Sequence, residues 1–257
     1  MDKYPTIHVS LGFGRKKRHS YVKRIRTNRQ QRQKQHEPSI IHASSRVSPL
    51  DTSMKTPTNL LMTSSSGSAY NRLHSPYFIS RDINTNTLYI ADYNNNRVMS
   101  YASGASNGTL VIGGQGSGTN RTQLYYSVGI HFDSVSNSLL IANYGGQHIV
   151  RCTLDYSNWT LVAGTPGMVG SSSTLLSYPT GVTLDPMGNM YVADTGNHRI
   201  QLFLAGQTNG TTIAGITGLS GSNSTQLYAP YSIRLDNQLN LLVADAMNHR
   251  IQKFLRY

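Results

Sequence analysis

Cysteine is almost absent from this chain: Cys152 stands alone, so no internal disulfide framework can form, and no paired-thiol or Cys/His zinc spacing is present. Glutamate is as scarce, with Glu37 the only one. A metal or acid–base site built from several carboxylates and imidazoles therefore has little to draw on. No apolar run is long enough to span a bilayer, and Met1–His8 lacks the apolar centre of a signal peptide. At face value neither a cleaved leader nor a span is expected. Cytoplasmic or nuclear residence follows if that terminus is genuine, and extracellular residence if it is incomplete.

What is abundant is tyrosine, 16 residues, and glycine, 23 residues, with charge at only 13%. Such a composition suits short strands and tight turns better than long amphipathic helices. The charge is divided unevenly. Residues 1–57 hold 13 Lys/Arg against three acids, a net of +10, while the remainder holds 10 Lys/Arg against eight Asp, a net of +2. The basic character belongs to a tail, expected to be disordered over 1–58. Its runs Arg15-Lys16-Lys17-Arg18 and Lys23-Arg24-Ile25-Arg26 are read first as a solvated arm, then as an import signal or a contact for nucleic acid or anionic lipid.

Self-comparison reveals a repeat. Leu88-Tyr89-Ile90-Ala91-Asp92 returns as Leu139 to Asn143, Met190 to Asp194 and Leu241 to Asp245, with the alanines spaced by 51 each time. Ahead of each core lies a strand running to an Asp: Asp82, Asp133, Asp185 and Asp236. After each core come a short polar turn, a third strand and, past a glycine-rich linker, a fourth apolar run such as Leu110-Val111-Ile112. Four short strands with Gly/Asn/Asp turns make one antiparallel sheet. The cores are continuously apolar, so both faces of that strand must be covered. Sheets of this kind stacked head to tail predict an all-β chain, a β-propeller of four four-stranded blades over 59–257, either closed or part of a larger propeller.

The run Tyr191-Val192-Ala193-Asp194-Thr195-Gly196-Asn197-His198-Arg199-Ile200-Gln201, with Pro179 to Asp185 before it, resembles the NHL repeat, and Asn248-His249-Arg250-Ile251 restates the signature. The second copy departs, with Asn143 for Asp and Gly145-Gly146-Gln147-His148 for the Asn-His-Arg turn. The resemblance implies a propeller, more often six-bladed, that binds partners, in some members as the substrate-recognising part of a ubiquitin ligase. No RING-type Cys/His spacing supplies the ligase half here.

Residues that recur from copy to copy are read as architecture. Asp92/Asn95/Arg97 and their copies fall in this class, with the Asp expected to close its turn by accepting N–H bonds. Cys152 shares a column with Tyr101, Phe203 and Phe254 and reads as an apolar filler. Trp159 has no counterpart and is either a ligand platform or, the better account, a packed loop aromatic. Five Asn-x-Ser/Thr sequons, at Asn107, Asn120, Asn158, Asn209 and Asn223, are a weak signal in a Ser/Thr-rich chain.

Propellers bind on the face made by the loops between second and third strands and between blades, which here holds Tyr93, Asn94, Tyr144, Gln147, His198, Met247 and His249. Specificity also calls for residues that differ between copies. A second set, Ser80, His131, Thr183 and Arg234, stands near the end of each first strand, where a propeller lines its channel, though a water-filled channel would carry similar groups. The function expected is a non-catalytic scaffold for a protein partner, with glycan or RNA as other ligands; RNA is disfavoured by the small charge of the body. The alternative is a lyase- or lactonase-type enzyme with a channel metal, for which His131 offers one imidazole without nearby carboxylates. No cofactor or metal is expected.

Overall fold

A computed structural model describes residues 65–154 and 158–256. They form an all-β propeller array. Blade 1 contains β1 (Pro76–Arg81), β2 (Leu88–Asp92), β3 (Arg97–Tyr101) and β4 (Thr109–Gly113). Blade 2 contains β5 (Ser127–Asp133), β6 (Ser138–Asn143), β7 (His148–Thr153) and β8 (Trp159–Gly164). Blade 3 contains β9 (Pro179–Leu184), β10 (Met190–Asp194), β11 (Arg199–Phe203) and β12 (Gly210–Gly215). Blade 4 has three strands among the described residues, β13 (Pro230–Leu235), β14 (Leu241–Asp245) and β15 (Arg250–Phe254). Every sheet runs antiparallel in chain order. The basic tail lies outside the described residues, as does Asn59-Leu60-Leu61-Met62, an apolar run whose distance ahead of Leu73 is about that of Leu110-Val111-Ile112 ahead of Leu124 and which the sequence offers as a fourth strand to complete blade 4.

The register repeats with the sequence. Ile90 pairs with Met99, Ile141 with Val150, Val192 with Gln201 and Val243 with Gln252. A bulge recurs between the third and fourth strands, at Val98/Met99, Ile149/Val150 and Ile200/Gln201. It sits beside Gly113, Gly164 and Gly215, whose φ values are +84, +81 and +81. A Cβ on Gly113 would collide with the carbonyl oxygen of Asn96, so the close approach of the fourth strand excludes a side chain.

The apolar cores face each other between blades. Tyr89, Ala91, Val98 and Ile112 of blade 1 pack on Ile130, Leu139, Ile141 and Val150 of blade 2. Leu140, Ala142 and Ile149 then meet Val182, Val192 and Phe203 of blade 3, and Ala193, Ile200 and Ala214 meet Ile233, Leu241 and Val243 of blade 4. The first strands pack on one another in turn, β1 on β5, β5 on β9 and β9 on β13, and so line the axis. The outer faces of the first and last blades differ from the inner ones. Ile79 is 60% exposed where its counterpart Ile130 is 2% exposed. Ile251 is 69% exposed where Ile200 is wholly buried. Blades 1 and 4 therefore do not bury these positions against each other.

Blade 2 keeps its packing through an exchange of volumes. In blades 1 and 3 a large ring on the third strand lies over a glycine where the fourth begins, just ahead of β4 or opening β12: a Cβ on Gly108 would come 2.5 Å from Tyr101, and one on Gly210 would come 2.7 Å from Phe203. In blade 2 the ring has moved to the fourth strand, where Trp159 pairs in register with the small Cys152. Both are buried. Trp159 is thus a packed aromatic, though it opens the fourth strand rather than lying in the linker ahead of it.

Candidate functional site

One end of the array is built by the turns between second and third strands and by the loops that lead into each first strand. The repeated Asp fixes this end. Asp92, Asp194 and Asp245 are fully buried. One oxygen of each accepts a backbone N–H from the loop ahead of its blade: His74 at 2.6 Å, Ser177 at 2.7 Å and Tyr228 at 2.6 Å. The other oxygen takes the Nε–H of Arg97, Arg199 or Arg250 at 2.7–2.8 Å. The free end of each guanidinium then ties that same loop through its carbonyls, those of Ala69 and Arg72 in blade 1 and of Ser172 and Leu175 in blade 3. The acceptor role expected of this Asp is present, but the backbone N–H it takes comes from the preceding loop; within its own turn it accepts the side-chain amide of Asn95, Asn197 or Asn248 at 2.8 Å. It is the other column that closes its own turns on backbone N–H groups: Asp82 accepts from Asn84, Asp133 from Val135, Asp185 from Met187 and Asp236 from Gln238.

In blade 2 a neutral set replaces the ion pair. Asn143 Oδ1 accepts the Tyr125 N–H at 2.7 Å, and Asn143 Nδ2 lies 3.2 Å from His148 Nε2. Burial holds the His148 imidazole below its ordinary pKa, against the upward pull of its bond to the Gly146 carbonyl. The carbonyls that a guanidinium would reach, Asn120 and Gln123, accept instead from the Trp159 indole N–H at 3.1 and 3.0 Å.

A left-handed residue follows each turn: Asn96, Gln147, His198 and His249, with φ between +50 and +66. The first three link blade to blade. Asn96 Oδ1 accepts the Tyr126 N–H, Gln147 Oε1 the Tyr178 N–H and His198 Nδ1 the Ala229 N–H. Of the residues expected on the loop face, Gln147 is therefore buried with its carbonyl engaged, and His198 is half-buried in the same linking role. Asn94, Met247 and His249 are exposed, and Tyr93 and Tyr144 are half-buried.

Around Tyr93 the structure gathers rings that the sequence did not single out. Tyr93 lies 4.7 Å from Tyr77 and stacks on Tyr126 at 4.6 Å, and Tyr126 continues to Tyr125 at 4.9 Å. Tyr231 of β13 reaches Tyr77 at 6.5 Å and Phe78 at 6.3 Å, so blades 1 and 4 meet in rings at the mouth. Tyr144 packs on Tyr178 at 5.0 Å. Burial, with neighbouring phenols next in weight, raises the pKa of Tyr93, Tyr144 and Tyr231. The available signals were positional. Tyr126 and Tyr178 stand immediately before a first strand, at φ +52 and +49, and Tyr77 and Tyr231 each follow a proline that opens one.

Deeper along the first strands, Ser80, His131, Thr183 and Arg234 occupy one register, opposite Tyr89, Leu140, Tyr191 and Leu242. Ser80 Oγ accepts the Phe132 N–H at 2.9 Å, and Thr183 Oγ1 lies 3.5 Å from His131 Nδ1. Burial, then the Arg234 charge, push the His131 pKa down to about 4, against the pull of Asp133. At the far end these strands open into a cleft of about 540 Å³ lined by His131, Asp133, Asp185 and Asp236. Among the described residues no three His, Cys, Asp or Glu are placed to hold a metal ion, and no helix is long and apolar enough to cross a membrane. The asparagines of all five sequons are exposed.

Comparison with known proteins locates an NHL repeat at residues 176–203. No curated protein matches the chain. Among solved structures it is similar to an auxiliary nutrient binding protein from Bacteroides ovatus, at 16% identity and TM-score 0.54 over 71% of this chain and 48% of that one. It is also similar to a streptogramin B lyase, at 14% and 0.52 over 70% and 51%. A chain of the nidogen/laminin complex matches at 18% and 0.54 over 72% and 65%. The chain spans about half the length of the first two. These likenesses establish the fold.

Proposed function

We propose that the chain is a recognition module that binds a protein partner through the tyrosine-lined mouth of its propeller. The ring cluster at Tyr77, Tyr93, Tyr126 and Tyr231 carries this reading. Tyrosine supplies large contact area at small entropic cost and keeps a polar tip, which is why it is enriched at interfaces. The mouth carries no exposed carboxylate from the repeated column, because Asp92, Asp194 and Asp245 are fully buried on their arginines. Recognition there rests on shape, ring faces and hydroxyls. That one structural neighbour was solved in a complex of nidogen with laminin supports a protein ligand. The likeness to NHL proteins extends the reading to substrate recognition within a ubiquitin-ligase assembly, the ligase half being supplied by another subunit.

The test is quantitative affinity capture with the full chain and a Tyr93→Ala/Tyr126→Ala/Tyr231→Ala variant. The parent should retain partners that the variant loses, while Val135→Ala at the opposite end captures as the parent does. Identical capture by parent and triple variant would remove the mouth as the binding face.

A further inference from the structure

We propose that the channel holds a carboxylate between Arg234 and His131, a site separate from the tyrosine mouth and independent of what binds there. The register sets these side chains at one level of the first strands, Arg234 on β13 and His131 on β5, with Thr183 on the intervening β9 at 3.5 Å from His131 Nδ1. Arg234 differs from most other arginines of the strands. Arg97, Arg151, Arg199 and Arg250 each pair with an Asp, whereas Arg234, like Arg81 at the end of β1, is exposed and makes no ion pair among the described residues; of these two only Arg234 stands in the channel register. The carboxylates nearest the channel are already engaged. Asp133 is 2.9 Å from Arg151 and Asp236 is 2.8 Å from Lys253. Asp185 is buried and takes the N–H groups of Met187 and Asn189 together with the Asn189 amide.

The channel thus sets the unpaired Arg234 guanidinium, a hydroxyl and an imidazole at one level. A guanidinium presents a planar fork that matches a carboxylate with two parallel N–H bonds. An anion bound there would also reverse the electrostatics around His131. The groups acting on that ring are Arg234 from β13 and Arg151 from β7, which disfavour its protonation, and Asp133 on its own strand, which favours it. A carboxylate that neutralises Arg234 removes the stronger of the two opposing charges and adds an acceptor. Carboxylate binding and His131 protonation should therefore reinforce each other. The cleft at the far end, about 540 Å³ and lined by His131, is the route in. The carboxylate can come from a free carboxylic acid or from an acidic residue of a peptide.

The experiment follows the His131 ring protons by NMR in the full chain, with His131→Gln assigning the signal. Three titrants are compared at equal ionic strength: sodium acetate, an N-acetyl-aspartate peptide amide, and sodium chloride. Acetate, the peptide or both should raise the apparent pKa of His131 from about 4, whereas chloride should not. A response to acetate alone assigns the site to small acids, and a response to the peptide alone assigns it to a chain segment. Arg234→Gln should raise the His131 pKa without ligand and weaken the carboxylate response at least tenfold. If the two carboxylates act no differently from chloride, or if Arg234→Gln leaves their effect intact, the site does not exist.

Discussion

Blade 2 offers the sharpest test of how this propeller is held together, because it can be rewritten as blade 3. Blade 3 uses Asp194, Asn197, Arg199, Phe203 and Gly210; blade 2 uses Asn143, Gly146, His148, Cys152 and Trp159 at the same places. Trp159→Gly alone deletes a buried indole and orphans the carbonyls of Asn120 and Gln123. Loss of a large buried aromatic costs about 3–5 kcal/mol, and glycine within a strand adds roughly 0.5–1 kcal/mol. His148→Arg alone buries a guanidinium beside a neutral Asn143, and an unpaired buried charge costs about 3–5 kcal/mol. Cys152→Phe alone forces a second ring against Trp159, an overpacking of about 1–3 kcal/mol. Simple addition puts the combined change above 7 kcal/mol, a large part of what a domain of this size has to lose. The five-fold variant Asn143→Asp/Gly146→Asn/His148→Arg/Cys152→Phe/Trp159→Gly should instead lie within about 2 kcal/mol of the parent, because ring, guanidinium and carboxylate arrive together. Urea unfolding followed by far-UV circular dichroism measures each step. If the single changes sum to the five-fold result within about 0.5 kcal/mol, the columns do not share space and partners as described.

Other consequences are direct. Because burial and Arg234 hold the folded-state His131 pKa at about 4, below an unfolded value near 6.5, the folded state resists its protonation. Stability is then intact above about pH 6.5 and falls as pH drops toward 4, by roughly 3 kcal/mol. A His131→Gln variant should flatten the thermal-melting profile across that window, and an unchanged profile would refute the assignment. Replacing Tyr93, Tyr144 and Met247 together with Ala should weaken partner binding at least tenfold while lowering stability only modestly; a collapse of the melting temperature would make them structural. Val243→Ala should cost about 1–4 kcal/mol in urea unfolding, since it sits fully buried in the last inter-blade core. Ile251→Lys should be tolerated within about 0.5 kcal/mol while Ile200→Lys unfolds the chain, since only the first is exposed; equal damage from both would mean that the last blade is covered.

The repeat was legible because packing between blades imposes it. Ala91, Ala142 and Ala193 are fully buried at matching registers, and each blade presents the same two faces, so the apolar pattern returns every 51 residues. The common register of Ser80, His131, Thr183 and Arg234 was legible for a related reason: each stands two residues before a repeated Asp, and their identity varies inside that invariant frame. What escaped reading was long-range compensation. Trp159 has no sequence counterpart, because its indole N–H takes over from a guanidinium that the other blades place eleven residues earlier on a different strand. The aromatic mouth escaped for another reason. Tyr126 and Tyr178 precede a first strand, Tyr77 and Tyr231 fall within one, and Tyr93 comes from a turn, so no single column contains the cluster. Three separate columns converge only once the first strands stand side by side around the axis. A repeat makes its scaffold visible in one dimension, while a binding surface assembled across repeats becomes visible only in three. The differences that a scaffold tolerates, a tyrosine in one blade against a serine or alanine in the next at Ser75, Tyr126, Tyr178 and Ala229, are where such a surface can be written without disturbing the fold.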